Sequence, residues 1–386
     1  MSQQENLTEG GFNQAEVVEA AKADPDFLAA LAMPIIFEFA WPPVFRAVWN
    51  WLIQHAMLER AFPLMALGLP RGFGKTTVIK LFILYCILFT NKKFILVMAA
   101  TATLAENIIS DVKDMLNEPN IRNTFGDWSL GAERDTNSLK KFSFRGRNII
   151  LAALGAGGSV RGLNLKNERP DVMIFEDVQK REEADSQQVS EELYKWMLGT
   201  AMKAKSPKGC MTLFIGNMYP TPHSILKKLK ANPNWIKFIA GGILEDGTSL
   251  WEELQPVKQL LREYANDCAA GHPEIFHAEV LNDENAAANN LIALDKLPAY
   301  PFVDGDIHQG NFIIVDPSND KANSDMVSMT YFEVFDAKPV AKEVIDERLS
   351  PGDIIWKAIE LALKNDCPLV AIEANAFSTP CFTGVK

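Results

Sequence analysis

No two of the five cysteines stand in a CxxC pair. Cys86, Cys210, Cys268, Cys367 and Cys381 are scattered, which argues against a structural zinc site or a disulfide frame and suits a reducing compartment. A membrane-spanning run is also missing. The longest apolar stretch, VIKLFILYCILFT from Val78 to Thr90, carries Lys80 and falls short of the roughly 20 residues a bilayer requires, so it reads as a buried helix. The amino-terminal MSQQENLTEGG has neither a basic start nor an apolar region, which excludes a secretory signal in that stretch. Basic residues are not in excess: 38 Lys and Arg stand against 49 Asp and Glu, a net charge of −11. That excludes a surface coated in positive charge but leaves room for a local stripe that grips phosphates. No internal repeat and no low-complexity segment occurs.

What is present is an alternation of short apolar strands with helical patterns. Strands are expected at 64–68, 94–100, 148–154, 171–177, 210–216 and 235–241, with helices at 103–116 and 190–204 between them. Strands that are apolar on both faces and separated by helices imply a parallel sheet covered on both sides, with its active site beyond the carboxyl ends of the strands. A second alternation begins near Gly310, with strands at 311–318, 326–335, 341–349 and 368–374 and a helix over 351–365. The expected organisation is an N-terminal polar and helical segment (1–34), an α/β domain (35–249), a helical linker or lid subdomain (250–305) and a second α/β domain (306–386).

Residues 66–77, ALGLPRGFGKTT, follow a strand and open a helix, the context of a phosphate-binding loop. The common G-x-x-x-x-G-K-[ST] pattern places its first glycine at position 69, which is Leu69 here, with Gly68 one place too early. Backbone N–H groups of Gly72, Phe73 and Gly74 would face the phosphates, Lys75 would reach the β- and γ-phosphates, and the Thr76 hydroxyl would hold Mg²⁺, with Thr77 next in line. Arg71, inside the loop, could touch or sense the γ-phosphate. A lone strand-to-helix turn is the alternative.

About a hundred residues on, RPDVMIFEDVQ is an apolar strand ending in Glu176-Asp177. One carboxylate is needed near the metal and the next can polarise water. By position Glu176 is assigned to magnesium and Asp177 to the attacking water. CMTLFIGN ends at Asn217, a polar residue able to sense the γ-phosphate, although a strand simply meeting a turn would look the same. Arg161, in the glycine-rich GAGGSVRGLNL, could serve as an arginine finger for a neighbouring subunit, and a surface arginine or a DNA contact weighs equally. The stretch FAWPPVFRAVWNWL could bring aromatic rings and Arg46 to a base, though such a stripe is more often core.

In the second alternation Asp316 ends the first strand and Glu373 lies at the fourth, with Asp325 nine residues after Asp316. Strand–strand–strand–helix–strand with acids on the first and fourth strands is the ribonuclease-H-like arrangement. Such carboxylates can hold two divalent ions about 4 Å apart for phosphodiester cleavage. Each acid alone would be an ordinary solvated strand end.

In this order and spacing, LPRGFGKTT, GGSVRGLNLKNERPDVMIFEDVQ, TLFIGN, IIVDPSNDKANSD and VAIEANAF resemble the large terminase subunit of tailed double-stranded DNA bacteriophages over roughly residues 35–386. The resemblance implies an α/β P-loop ATPase domain of the ASCE class with a mostly parallel sheet, followed by a ribonuclease-H-like nuclease domain. It implies ATP and Mg²⁺ at Arg71, Gly72, Phe73, Gly74, Lys75, Thr76, Thr77 and Asn217, and two Mg²⁺ or Mn²⁺ ions at Asp316, Asp325 and Glu373. Variant loops with arginine at the place of Arg71 are common there. The implied activities are ATP-driven translocation of viral DNA into a procapsid and cutting of genome concatemers in the host cytoplasm. The implied partners are double-stranded DNA, the portal protein, the small terminase subunit and further copies in a ring, with no membrane. Two features depart from the pattern: the Glu-Asp order at 176–177, and the lack of any acid after Glu373, from which a truncated nuclease domain is expected. A helicase or remodelling ATPase, which would carry a second motor lobe, and a small-molecule kinase, which DNA would not stimulate, are the competing readings.

Overall fold

The computed structural model describes residues 13–35, 38–159, 168–283, 307–317 and 326–373. The chain divides into two compact units, Met1–Asn290 and Leu291–Lys386.

In the first unit three helices, α1 (Gln14–Ala23), α2 (Pro25–Ala32) and α3 (Pro43–Ala56), precede the first strand, β1 (Leu64–Gly68). There follow α4 (Lys75–Phe89), β2 (Phe94–Ala99), α5 (Ala102–Asn117) and α6 (Pro119–Phe125). Next come β3 (Ala132–Asp135), β4 (Leu139–Phe144), β5 (Arg147–Gly155) and β6 (Val172–Glu176). The last stretch carries α7 (Arg181–Asp185), α8 (Gln187–Trp196), β7 (Met211–Gly216), α9 (Ile225–Ala231), β8 (Ile236–Ile239), α10 (Val257–Ala269) and α11 (Pro273–Glu279).

The eight strands form one sheet in the order β3-β4-β5-β2-β6-β7-β1-β8. Pairing is parallel from β5 through β8, and antiparallel only at the edge where β3 and β4 join. The strand alternation sorts side chains onto two faces. Met65, Leu67, Val97, Ile174 and Leu213 pack with α3, α4 and α5, while Ala66, Leu96, Met173, Phe175 and Phe214 pack on the opposite face with Met197 and Leu226. Past its first turn, where Thr76, Thr77 and Lys80 are partly exposed, helix α4 is apolar and is buried from Leu81 to Leu88. Leu260 of α10 and Phe276 of α11 join the α4 side of this core. The segment expected as one helix over 190–204 ends its α-helical part at Trp196 and continues as a π turn and a short 3₁₀ turn.

Trp49 of α3 is 1% exposed and meets Trp41 and Tyr85 edge-on, each at 5.4 Å between ring centroids. Emptying such a site typically costs about 3–5 kcal/mol. Trp49→Ala is therefore expected to shift the unfolding midpoint of the first unit strongly to lower denaturant. An unchanged midpoint would show that these rings are not part of its core.

The second unit has β9 (His308–Asp316), β10 (Val327–Phe335), β11 (Lys338–Glu347), α12 (Pro351–Lys364) and β12 (Val370–Ile372). Its sheet runs β11-β10-β9-β12, antiparallel except for the parallel pair of β9 and β12. Ile354, Ala358 and Leu361 of α12 cover one face, against Ile313, Val315 and Met329. The whole is a mixed α/β chain with a mostly parallel first sheet, and its second unit has the strand–strand–strand–helix–strand succession expected from the sequence.

Candidate functional site

The loop between β1 and α4 turns on two glycines with left-handed backbone, Gly72 (φ 81°) and Gly74 (φ 75°), a region that costs other residues energy. Gly74 precedes α4 and no described side chain caps that helix end, which leaves its first N–H groups available to an anion. The departure at position 69 has a packing reason. Leu69 is fully buried in the core, and a Cβ on Gly68 would stand 3.0–3.2 Å from Leu226 and Ile239. Gly68 thus serves close strand packing, and the loop begins after it. Phe73 at the loop's centre is 1% exposed and packs beside Gly242 and Val280, anchoring the loop from beneath.

Strand order brings the rest together. β7 lies between β1 and β6, so Asn217, at the end of β7, stands between the loop and the acidic pair at the end of β6. The Lys75 ammonium donates to Asp177 Oδ1 at 3.0 Å and to Asn217 Oδ1. The Thr76 hydroxyl donates to Glu176 Oε1 at 2.6 Å. Glu176 is 6% exposed, and burial, with Asp177 beside it, raises its carboxyl above the usual range against the opposing pull of Thr76, Lys75 and Lys80. Asp177 has a positive φ of 43° while its N–H still bonds Ile215 O at 3.0 Å, so the strand is held and the side chain is turned back toward Lys75.

Two cavities flank the loop. One, of about 320 Å³, is lined by Arg71, Lys75, Asp177, Asn217, Tyr219 and Glu279, with Lys180 and Arg181 at its rim. The other, of about 240 Å³, lies against Gly72, Gly74, Thr77 and Val78 and is walled by Trp41 and Trp251. Of the aromatic stretch before β1, Phe45 and Trp49 are core, while Phe39 and Trp41 reach this second cavity. Arg46 is engaged by Asp24 at 3.2 Å and by Asp26 and does not line this cavity. Among the described residues the buried Trp251 indole N–H has no hydrogen-bond partner.

Arg71 extends from the loop with its side chain 77% exposed. Its nearest carboxylate is Glu279 of α11, 3.7 Å from Nη1, and its backbone N–H bonds Glu279 O at 2.8 Å. The same carboxylate accepts from Asn217 Nδ2 at 2.6 Å. Glu279 and Trp251 were not foreseen from the sequence; each belongs to the stretch after β8, where no motif marks it. Arg161 lies outside the described residues, as does Asp325.

In the second unit Ile372 pairs with Val315, and Glu373 N–H bonds Val315 O at 2.9 Å. Asp316 and Glu373 therefore end neighbouring parallel strands at the same height, both exposed. Among the described residues no group of three His, Cys, Asp or Glu side chains is placed to hold a metal ion. No helix among them is long and apolar enough to cross a membrane.

No protein-family model matches the sequence, and no curated protein matches it. Several solved structures do align with the fold. The large terminase of a thermophilic bacteriophage aligns at 12% identity over 89% of this chain and 80% of its own, with a TM-score of 0.40. That of bacteriophage HK97 aligns at 12% identity over 94% and 74%, with a TM-score of 0.45. The large terminase ATPase domain of Thermus phage P74-26 aligns at 12% identity over 66% and 95%, with a TM-score of 0.42. The chain is similar to these large terminases across most of its length.

Proposed function

We propose that the first unit is an ATPase that hydrolyses ATP to drive double-stranded DNA, the motor part of a viral packaging enzyme. The observation that carries this reading is the convergence of Lys75 and Thr76, on the loop, with Glu176, Asp177 and Asn217 on two neighbouring strand ends. A triphosphate seated on the N-terminus of α4 would draw the Lys75 ammonium from Asp177 and Asn217 to the β- and γ-phosphates. Asp177, released from its ion pair, would then orient a water and accept its proton. Thr76 and Glu176 are the pair suited to Mg²⁺, because a hydroxyl and a buried carboxylate already meet there and the metal would favour the ionised carboxylate. The metal would neutralise charge on the phosphates during transfer. Trp41 and Trp251 offer aromatic walls for the base, and the Trp251 N–H offers a donor.

DNA enters this reading through the ordered motifs and the acidic pair of the second unit, not through the ATP site alone. Asp316 and Glu373 are suited to a shared divalent ion, and with Asp325 to the two-ion chemistry of a nuclease. A ring of copies, in which Arg161 reaches a neighbour's γ-phosphate, completes the proposal, with the portal and the small terminase subunit as partners in the host cytoplasm. Linear double-stranded DNA is expected to raise ATP turnover several-fold without strand separation. Unwinding of a forked duplex would favour the helicase reading. Turnover indifferent to any DNA would overturn the motor assignment.

A further inference from the structure

The carboxylate of Glu279 is 14% exposed and stands where two expected phosphate sensors meet. Asn217 faces an ammonium on one side and this carboxylate on the other. Only one orientation of its carboxamide satisfies both: Oδ1 accepts from Lys75 and Nδ2 donates to Glu279. Reversal would place N–H against ammonium and oxygen against carboxylate, two repulsive contacts in a site where Asn217 is 5% exposed. The backbone of Glu279 also takes the Arg71 N–H, fixing the loop at the residue that enters its glycine turn.

We infer that Glu279, at the end of α11, is a positioning residue for ATP hydrolysis: its side chain fixes the carboxamide of Asn217 with its oxygen toward Lys75, while its backbone carbonyl holds the Arg71 N–H. This rests on the proposed ATPase reading and adds a residue that acts through Asn217. Its backbone carbonyl acts whatever the side chain, so side-chain substitutions separate the carboxamide contact from the hold on the loop.

The test uses the full chain. Asn-selective ¹⁵N labelling, with the Asn217 side-chain signal assigned by its loss in Asn217→Ala, reports the contact without nucleotide. Glu279→Ala is expected to move that signal, since a charge-assisted hydrogen bond is lost. Turnover should fall about tenfold or more while KM for ATP changes less than threefold, and Glu279→Gln, which keeps an acceptor oxygen, should recover part of the loss. In the double variant Glu279→Ala/Asn217→Ala, turnover should be no lower than in Asn217→Ala alone, because the glutamate acts through the asparagine. A merely structural role would make the two losses multiply. An unmoved Asn217 signal, unchanged turnover in Glu279→Ala, or multiplying losses would each overturn the inference. A wild-type chain that does not hydrolyse ATP would instead sink the proposed function, while the Asn217 signal would still decide whether the contact exists.

Discussion

Lys75→Ala is expected to lower ATP hydrolysis by about 10³-fold or more, since a preorganised donor aimed at developing phosphate charge commonly contributes 10²–10³-fold and here the donor carries a full charge. The fold should survive the change. The lysine is nearly buried, but its ionic partner Asp177 is 42% exposed and can return to water, so no unpaired charge is trapped. Lys75→Arg should rescue little, because a planar fork cannot replace a compact ammonium between two fixed oxygens. The measurement is steady-state phosphate release alongside a thermal melt. Turnover within tenfold of wild type in a folded Lys75→Ala protein would remove the loop from the chemistry.

The second large effect separates binding from turnover. Asp177→Asn preserves size, and asparagine tolerates the left-handed backbone found at this position, so the strand end should be undisturbed. The charge that holds Lys75 in the nucleotide-free protein disappears, which leaves the ammonium freer for phosphate. Affinity for a non-hydrolysable ATP analogue is therefore expected to be unchanged or tighter, while turnover falls by about 10²–10⁴-fold with the loss of the base. Glu176→Gln should behave differently: its partner is the Thr76 hydroxyl, and the variant should demand more Mg²⁺. Equal losses of affinity and turnover in Asp177→Asn would reverse the roles assigned to the two acids.

Strands that are buried on both faces were legible because they are continuous apolar runs. β1, β2, β5, β6 and β7 all lie within a residue or two of where the sequence places them. The edge hairpin of β3 and β4 was not. Its first strand, AERD, is wholly exposed, and the second carries Lys140 and Lys141, so neither looks like a buried run. Yet Lys140 is 4% exposed, its ammonium satisfied by Thr136 O at 2.7 Å and Asp135 at 3.0 Å, a closure that only the hairpin creates.

The loop and the acidic pair could be found because their residue types follow directly from phosphate and metal chemistry at strand ends. Asn217 could be found only weakly, because its meaning depends on β7 lying between β1 and β6, and strand order is a property of the closed sheet. Glu279 left no trace: a glutamate at the end of a short helix is ordinary until folding carries it beside Asn217, sixty-two positions away in sequence. The misplaced glycine is the reverse case. The loop departs from the common pattern at Leu69 because the core claims that side chain, something no loop consensus encodes.

The deep burial of α4 has a mechanical meaning. A helix buried from Leu81 to Leu88 cannot roll or slide without opening packing against the sheet, α3 and α5 at once, and close-packed interiors resist such shifts. The loop that opens it is thus mounted on a tightly packed member of the unit, and under the proposed function tilting that helix would be a costly way to do work. In that reading, work would leave the site more readily through the half-exposed turn at Asp177 than through the helix.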